Sequence, residues 1–114
     1  MMDISKETSK TIEELQILEQ NLQMFMAQKQ NVQIELREVE NALEEISKTN
    51  DEVYKVLSGI MLKTDKESLK QELTEKKKLL EIRLNSVEKQ ENILEEKATK
   101  IRDKITETLK KNTK

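Results

Sequence analysis

The sequence predicts a mainly α fold, a long antiparallel two-helix coiled coil joined by one β-hairpin. Three observations carry this. Apolar residues recur at alternating spacings of three and four along both halves of the chain, the signature of a coiled-coil seam. Proline is absent, so long helices can run unbroken. The rhythm stops in one place only, between Val53 and Thr64, which holds the single glycine, Gly59, and the single tyrosine, Tyr54. The expected order is a helix over about 3–50, a hairpin over about 53–64 and a helix over about 65–110, in one domain spanning 1–114.

The first helix places Thr8, Leu15, Leu22, Lys29, Leu36 and Leu43 at heptad position a. Position d then falls on Thr11, Leu18, Phe25, Val32, Val39 and Ile46. At 1.5 Å per residue, about 45 residues span on the order of 65 Å, too long and thin to bury its own stripe. It therefore needs a partner helix. The polar run Ser47-Lys48-Thr49-Asn50-Asp51 suits a helix end and a turn. Asp65 is a fitting N-cap for the second helix. There d takes Leu73, Leu80, Val87, Leu94 and Ile101, and a takes Lys77, Leu84, Glu91, Ala98 and Ile105. The basic tail from Lys110 to Lys114 suits a helix C-terminus and is expected to fray. Lys29 and Glu91 stand at nearly equal distances from the hairpin, so folding back brings them together as a polar pair that helps fix register. The alternative is two unrelated side chains, each snorkelling to water.

The hairpin segment comprises Val53, Tyr54, Val56, Leu57, Gly59, Ile60, Met61 and Leu62. Ser58-Gly59 marks a tight turn, because glycine readily takes the positive φ that hairpin turns demand. Both parities of this stretch carry apolar residues: Val53, Leu57 and Met61 on one, Val56, Ile60 and Leu62 on the other. A lone hairpin is marginal in water and exposes unpaired edges. Closing several copies into a ring or barrel removes those edges, so an oligomeric β-barrel platform is expected. The alternative is a hairpin tucked onto its own helices.

Several apolar residues fall off the seam. Ile12, Ile17, Met24, Met26, Ile93 and Leu109 gather toward the helix ends away from the hairpin, whereas Leu79 and Ile82 lie near it, where packing against the base of an assembly is expected. Ile34 is also off the seam. Exposed apolar side chains, methionine among them, suit a surface that binds many partners. A broader core stripe, or contact with a neighbouring helix, is the other reading.

Composition narrows the function. The chain is 39% charged and 2% aromatic, with a net charge of −2. That balance of mixed signs argues against nucleic-acid binding. Histidine and cysteine are absent, which removes the usual base near neutral pH and all thiol chemistry. Almost every carboxylate takes a solvent-facing heptad position, and no glycine-rich phosphate loop exists. No catalytic constellation, metal site or cofactor is therefore expected. The N-terminal residues do not read as a signal peptide, and no stretch approaches the roughly 20 apolar residues needed to cross a bilayer. A cytoplasmic protein without membrane contact is the expectation.

Taken together, the chain resembles the prefoldin beta-subunit family of archaeal type. The resemblance rests on Tyr54-Lys55, Gly59 and Lys63 in the hairpin. It extends to Gln28-Lys29-Gln30, Gln33, Leu36, Glu40, Ala42 and Leu43 in the first helix. In the second helix it covers Leu80-Glu81, Arg83-Leu84 and Glu88-Lys89-Gln90-Glu91. It spans about Leu15 to Lys97, and the hairpin set is its most specific part. The resemblance implies an ATP-independent holdase, a hetero-hexamer of two alpha-type and four beta-type subunits. Its hairpins would form the barrel platform, and its coiled-coil ends would hold unfolded polypeptides and pass them to a group II chaperonin. It makes Val53 to Thr64 the assembly segment and the six end-lying apolar residues the client contacts. Docking of the chaperonin by the polar, basic chain ends is a further expectation. A structural coiled-coil scaffold or tether, which needs no apolar residues off the seam, is the alternative from another class.

Overall fold

In a computed structural model, residues 5–112 are described; Asp3 and Ile4 of the expected first helix, and Thr113 and Lys114 of the tail, lie outside them. Helix α1 runs Lys6–Lys48, strand β1 Val53–Leu57, strand β2 Ile60–Thr64 and helix α2 Lys66–Asn112. Each boundary has a local cause. Ser5 caps α1 by accepting the Thr8 amide on its hydroxyl at 3.1 Å, with Glu7 in the first turn. Asp65 caps α2 by accepting the Ser68 amide at 3.1 Å and the Ser68 hydroxyl at 3.1 Å. Helix α1 stops at Lys48, short of the expected residue 50. The Thr49 hydroxyl accepts the Asp51 amide at 3.2 Å, and the Thr49 carbonyl accepts Lys66 Nζ at 2.8 Å. Those bonds occupy groups that another helical turn would need.

The chain divides into two compact units. One, the hairpin unit, is Gln30–Asn85. Val32, Val39 and Leu80 form its buried core, and Leu36, Leu43, Leu73 and Leu84 pack around them. All seven are a or d residues, so the seam is the core. Lys55 on β1 ties the hairpin to α2, its Nζ 2.6 Å from Glu72 Oε1.

Strands β1 and β2 pair antiparallel, Val53 opposite Thr64 and Leu57 opposite Ile60. Ser58 and Gly59 sit at φ +50° and +79°, so the two-residue turn has positive φ at both central positions. This register corrects the expected grouping of faces. A two-residue turn pairs odd positions on β1 with even positions on β2, so Leu57 shares a face with Ile60 and Leu62 rather than with Met61. Val53, Lys55, Leu57, Ile60, Leu62 and Thr64 form one face; Tyr54, Val56, Met61 and Lys63 form the other. Val53, Lys55 and Thr64 are half-buried at the foot of the hairpin. Val56, Leu57, Ile60 and Met61 are each more than half exposed, so the chain's own helices leave them uncovered.

The other, terminal unit is Met1–Lys29 with Ser86–Lys114. Its stretches of α1 and α2 also run antiparallel, since Lys29 meets Glu91 and Glu19 meets Arg102. Leu22, Val87 and Ala98 are buried in it, while Leu15, Leu18, Phe25, Leu94, Ile101 and Ile105 are half-buried. Toward the start of α1 the seam turns polar. Thr8 is buried, its hydroxyl 3.0 Å from that of Ser5, and Thr8, Thr11, Lys104, Ile105 and Thr108 line a small notch.

Candidate functional site

Two apolar surfaces stand out, one in each unit. In the hairpin unit it is the hairpin, whose strands both have an unpaired edge in this chain. Glu52, at its foot, gathers the Lys63 amine at 2.9 Å and the Tyr54 hydroxyl at 3.0 Å. The nearby ammonium and then the donated phenol hydrogen bond hold its carboxyl below the ordinary value. Leu79, Ile82 and Ile34 are also exposed in this unit.

In the terminal unit, Ile17, Met24, Met26 and Ile93 are exposed, at 58%, 54%, 49% and 53%, whereas Ile12 and Leu109 are half-buried. These six do not share one surface. Ile17, Met24 and Ile93 all occupy position c. A groove lined by Glu14, Ile17 and Leu18 of α1 and by Lys97, Lys100 and Ile101 of α2 puts the c and g positions of both helices on one flank. Ile12, Met26 and Leu109 occupy position e. Glu19 and Arg102, also at e, meet at 3.4 Å and place those positions on the other flank. Heptad lettering contains this split, because c and e lie on opposite sides of the a/d stripe.

The electrostatics differ between the flanks. On the e side, Arg102 bridges Glu19 at 3.4 Å and Glu95 at 3.3 Å. On the g side the groove carries Lys97 and Lys100, for which the ionic contacts among the described residues include none. The seam itself holds one charged pair. Lys29 Nζ lies 2.9 Å from Glu91 Oε1, with side chains 27% and 20% exposed, while Glu91 Oε2 is buried without a hydrogen-bond partner. Reading the residue types alone missed the groove's charged rim and the role of Arg102. Both follow once the g and e letters are paired antiparallel.

The prefoldin subunit family model matches residues 9–112. The chain belongs to the prefoldin family. It is 39% identical to a prefoldin subunit beta from Thermococcus onnurineus, covering 96% of this chain and 97% of that protein. To the prefoldin subunit beta of Pyrococcus abyssi it is 38% identical, with 96% of each chain covered. A crystal structure of the prefoldin beta subunit from Thermococcus strain KS-1 superposes with a TM-score of 0.87 at 37% identity, over 96% of this chain and 97% of that one. The two long helices and single hairpin are thus the prefoldin beta fold, and prefoldin subunits are chaperone subunits. Among the described residues, no helix is long and apolar enough to cross a membrane.

Proposed function

We propose that this chain is a beta-type subunit of an ATP-independent holdase. In this reading it joins an alpha-type prefoldin subunit in a hetero-hexamer of two alpha and four beta chains. The assembly captures unfolded polypeptides and passes them to a group II chaperonin. The observation that carries this is the exposed apolar set Ile17, Met24, Met26 and Ile93 on helices whose seam is already paired. A coiled coil that served only as a rod would gain nothing by presenting it. The exposed hairpin supports assembly through the β segment, since free strand edges flanked by apolar side chains are closed when copies pair. Ile12 and Leu109, half-buried, contribute on the e flank, the side that also carries Met26.

The mechanism is weak multivalent capture. Fully burying one such side chain contributes about 1.5–3 kcal/mol, so a single subunit's grip is short-lived. Several subunits acting on one unfolded chain raise the effective concentration of each further contact. Release then follows from the weakness of each contact and needs no nucleotide.

The test is to assemble the chain with an alpha-type subunit, verify stoichiometry by native mass spectrometry, and measure aggregation of a chemically denatured enzyme diluted into it. Suppression at near-stoichiometric amounts is expected. An intact assembly that leaves aggregation unchanged would reject the holdase reading in favour of a scaffold.

A further inference from the structure

Resting on the holdase reading, we infer that the g-side groove of the terminal unit selects among unfolded polypeptides, preferring segments in which apolar side chains are flanked by acidic ones. The groove has an apolar floor of Ile17, Leu18 and Ile101. Its α2 wall is Lys97 and Lys100, whose ammonium groups find no carboxylate within 4.0 Å among the described residues. Lysine stems extend an apolar floor while their heads stay in water. A segment entering here therefore meets grease below and free positive charge along one side.

The carboxylates that face these lysines do not cancel them. Glu14 stands on the opposite wall as the single acidic lining residue. Glu95 and Glu96 share a shallow depression with Lys100 on the outer face of α2, and Glu95 is taken by Arg102 at 3.3 Å. Lys104 takes the next g position along α2, beside Glu7 in the polar notch. The e side has the opposite balance: Glu19, Glu95 and the half-buried Glu88 against Arg102 alone. Met26 on that side thus lacks the basic rim that Ile17 has, although both are about half exposed. Apolar contact is available on both flanks; attraction for carboxylates belongs to one. Charge complementarity then fixes the occupant as an apolar segment with acidic neighbours.

The experiment uses the chain assembled with its alpha-type partner and three fluorescein-labelled peptides of equal length. One is apolar with flanking glutamates, one apolar with flanking lysines, and one glutamate-rich without apolar residues. By fluorescence anisotropy at low salt, the first is expected to bind about five-fold more tightly than the second, since exposed ion pairs are individually weak. The difference shrinks toward none as salt screens it. The third peptide binds far more weakly than the first. Lys97→Glu/Lys100→Glu reverses the order of the first two, and the milder Lys97→Gln/Lys100→Gln abolishes it. Ile17→Ser weakens both apolar peptides alike. The inference is overturned if the order survives both lysine variants, or if the glutamate-rich peptide binds as tightly as the first. In those cases suppression of aggregation persists and the holdase reading stands. If no apolar peptide binds and aggregation proceeds, the holdase reading itself has failed and this inference falls with it.

Discussion

Separating Lys29 from Glu91 is expected to destabilise the terminal unit and to loosen its register. At 2.9 Å with an effective dielectric constant of about 20, their gross attraction is about 6 kcal/mol. Desolvation removes most of that, and removing one partner of a fully buried pair costs about 3–5 kcal/mol. Here the side chains keep 27% and 20% of their exposure, so charge reversal at either site should cost about 2–3 kcal/mol. Lys29→Glu and Glu91→Lys would each lower the urea midpoint at fixed protein concentration, and the double exchange would restore most of the loss. Register is read separately. Leu22 and Ala98 are buried a residues one heptad from Lys29 and Glu91 respectively, and the chain has no native cysteine. With Leu22→Cys/Ala98→Cys, oxidation should cross-link the helices readily beside the intact pair and less so beside either single reversal. If both reversals cost under about 0.5 kcal/mol without coupling, and cross-linking is unchanged, the pair does not set register.

Four further outcomes follow. Gly59→Ala should weaken the hairpin by about 1–2 kcal/mol although nothing lies within 4 Å of the added carbon, because the cost is the left-handed backbone at φ +79°. Ser58→Asn should instead raise the melting temperature slightly, since Asn accepts positive φ more readily. Met61→Lys should prevent assembly, seen as smaller species in native mass spectrometry, while helical circular dichroism is retained, because Met61 is exposed in the single chain. Glu52 should titrate in carbon-detected NMR below an ordinary glutamate, and Lys63→Met should move its midpoint up. A depressed carboxyl contributes stability that is present above the unfolded value and lost as pH falls through the folded one. The hairpin should therefore loosen only on the acid side, and Lys63→Met should flatten that loss.

Much of this molecule was legible in its spacing. Every a and d position from Leu15 to Ile46 and from Leu73 to Ile105 is buried or half-buried, because a three-four repeat admits only one stripe facing a partner. The turn was legible because a lone Gly after Ser between two short apolar runs has few alternatives. The faces of the hairpin were not read correctly. They depend on counting across the turn, and one residue of slip inverts every side chain. Grouping Ile12, Ile17, Met24, Met26, Ile93 and Leu109 by nearness to the chain ends hid their division between flanks. That division needs the antiparallel pairing of both helices, not either stripe alone. Likewise, the buried and unpartnered Glu91 Oε2 depends on where the Lys29 amine comes to rest, which no residue pattern specifies.

Across the terminal unit Lys29 meets Glu91, both at position a, and Glu19 meets Arg102, both at position e. An inserted or deleted residue in α1 would rotate everything beyond it by about 100° and carry flank residues such as Glu14 or Ile17 into the interior. A single compensating change elsewhere in α1 would repair the stripe yet leave the layers opposite α2 mismatched. Length in such a chain can therefore drift only by whole heptads, gained or lost at the same level in both helices. Homologues whose helices differ from these should show their gaps in matched pairs, one on each side of the turn.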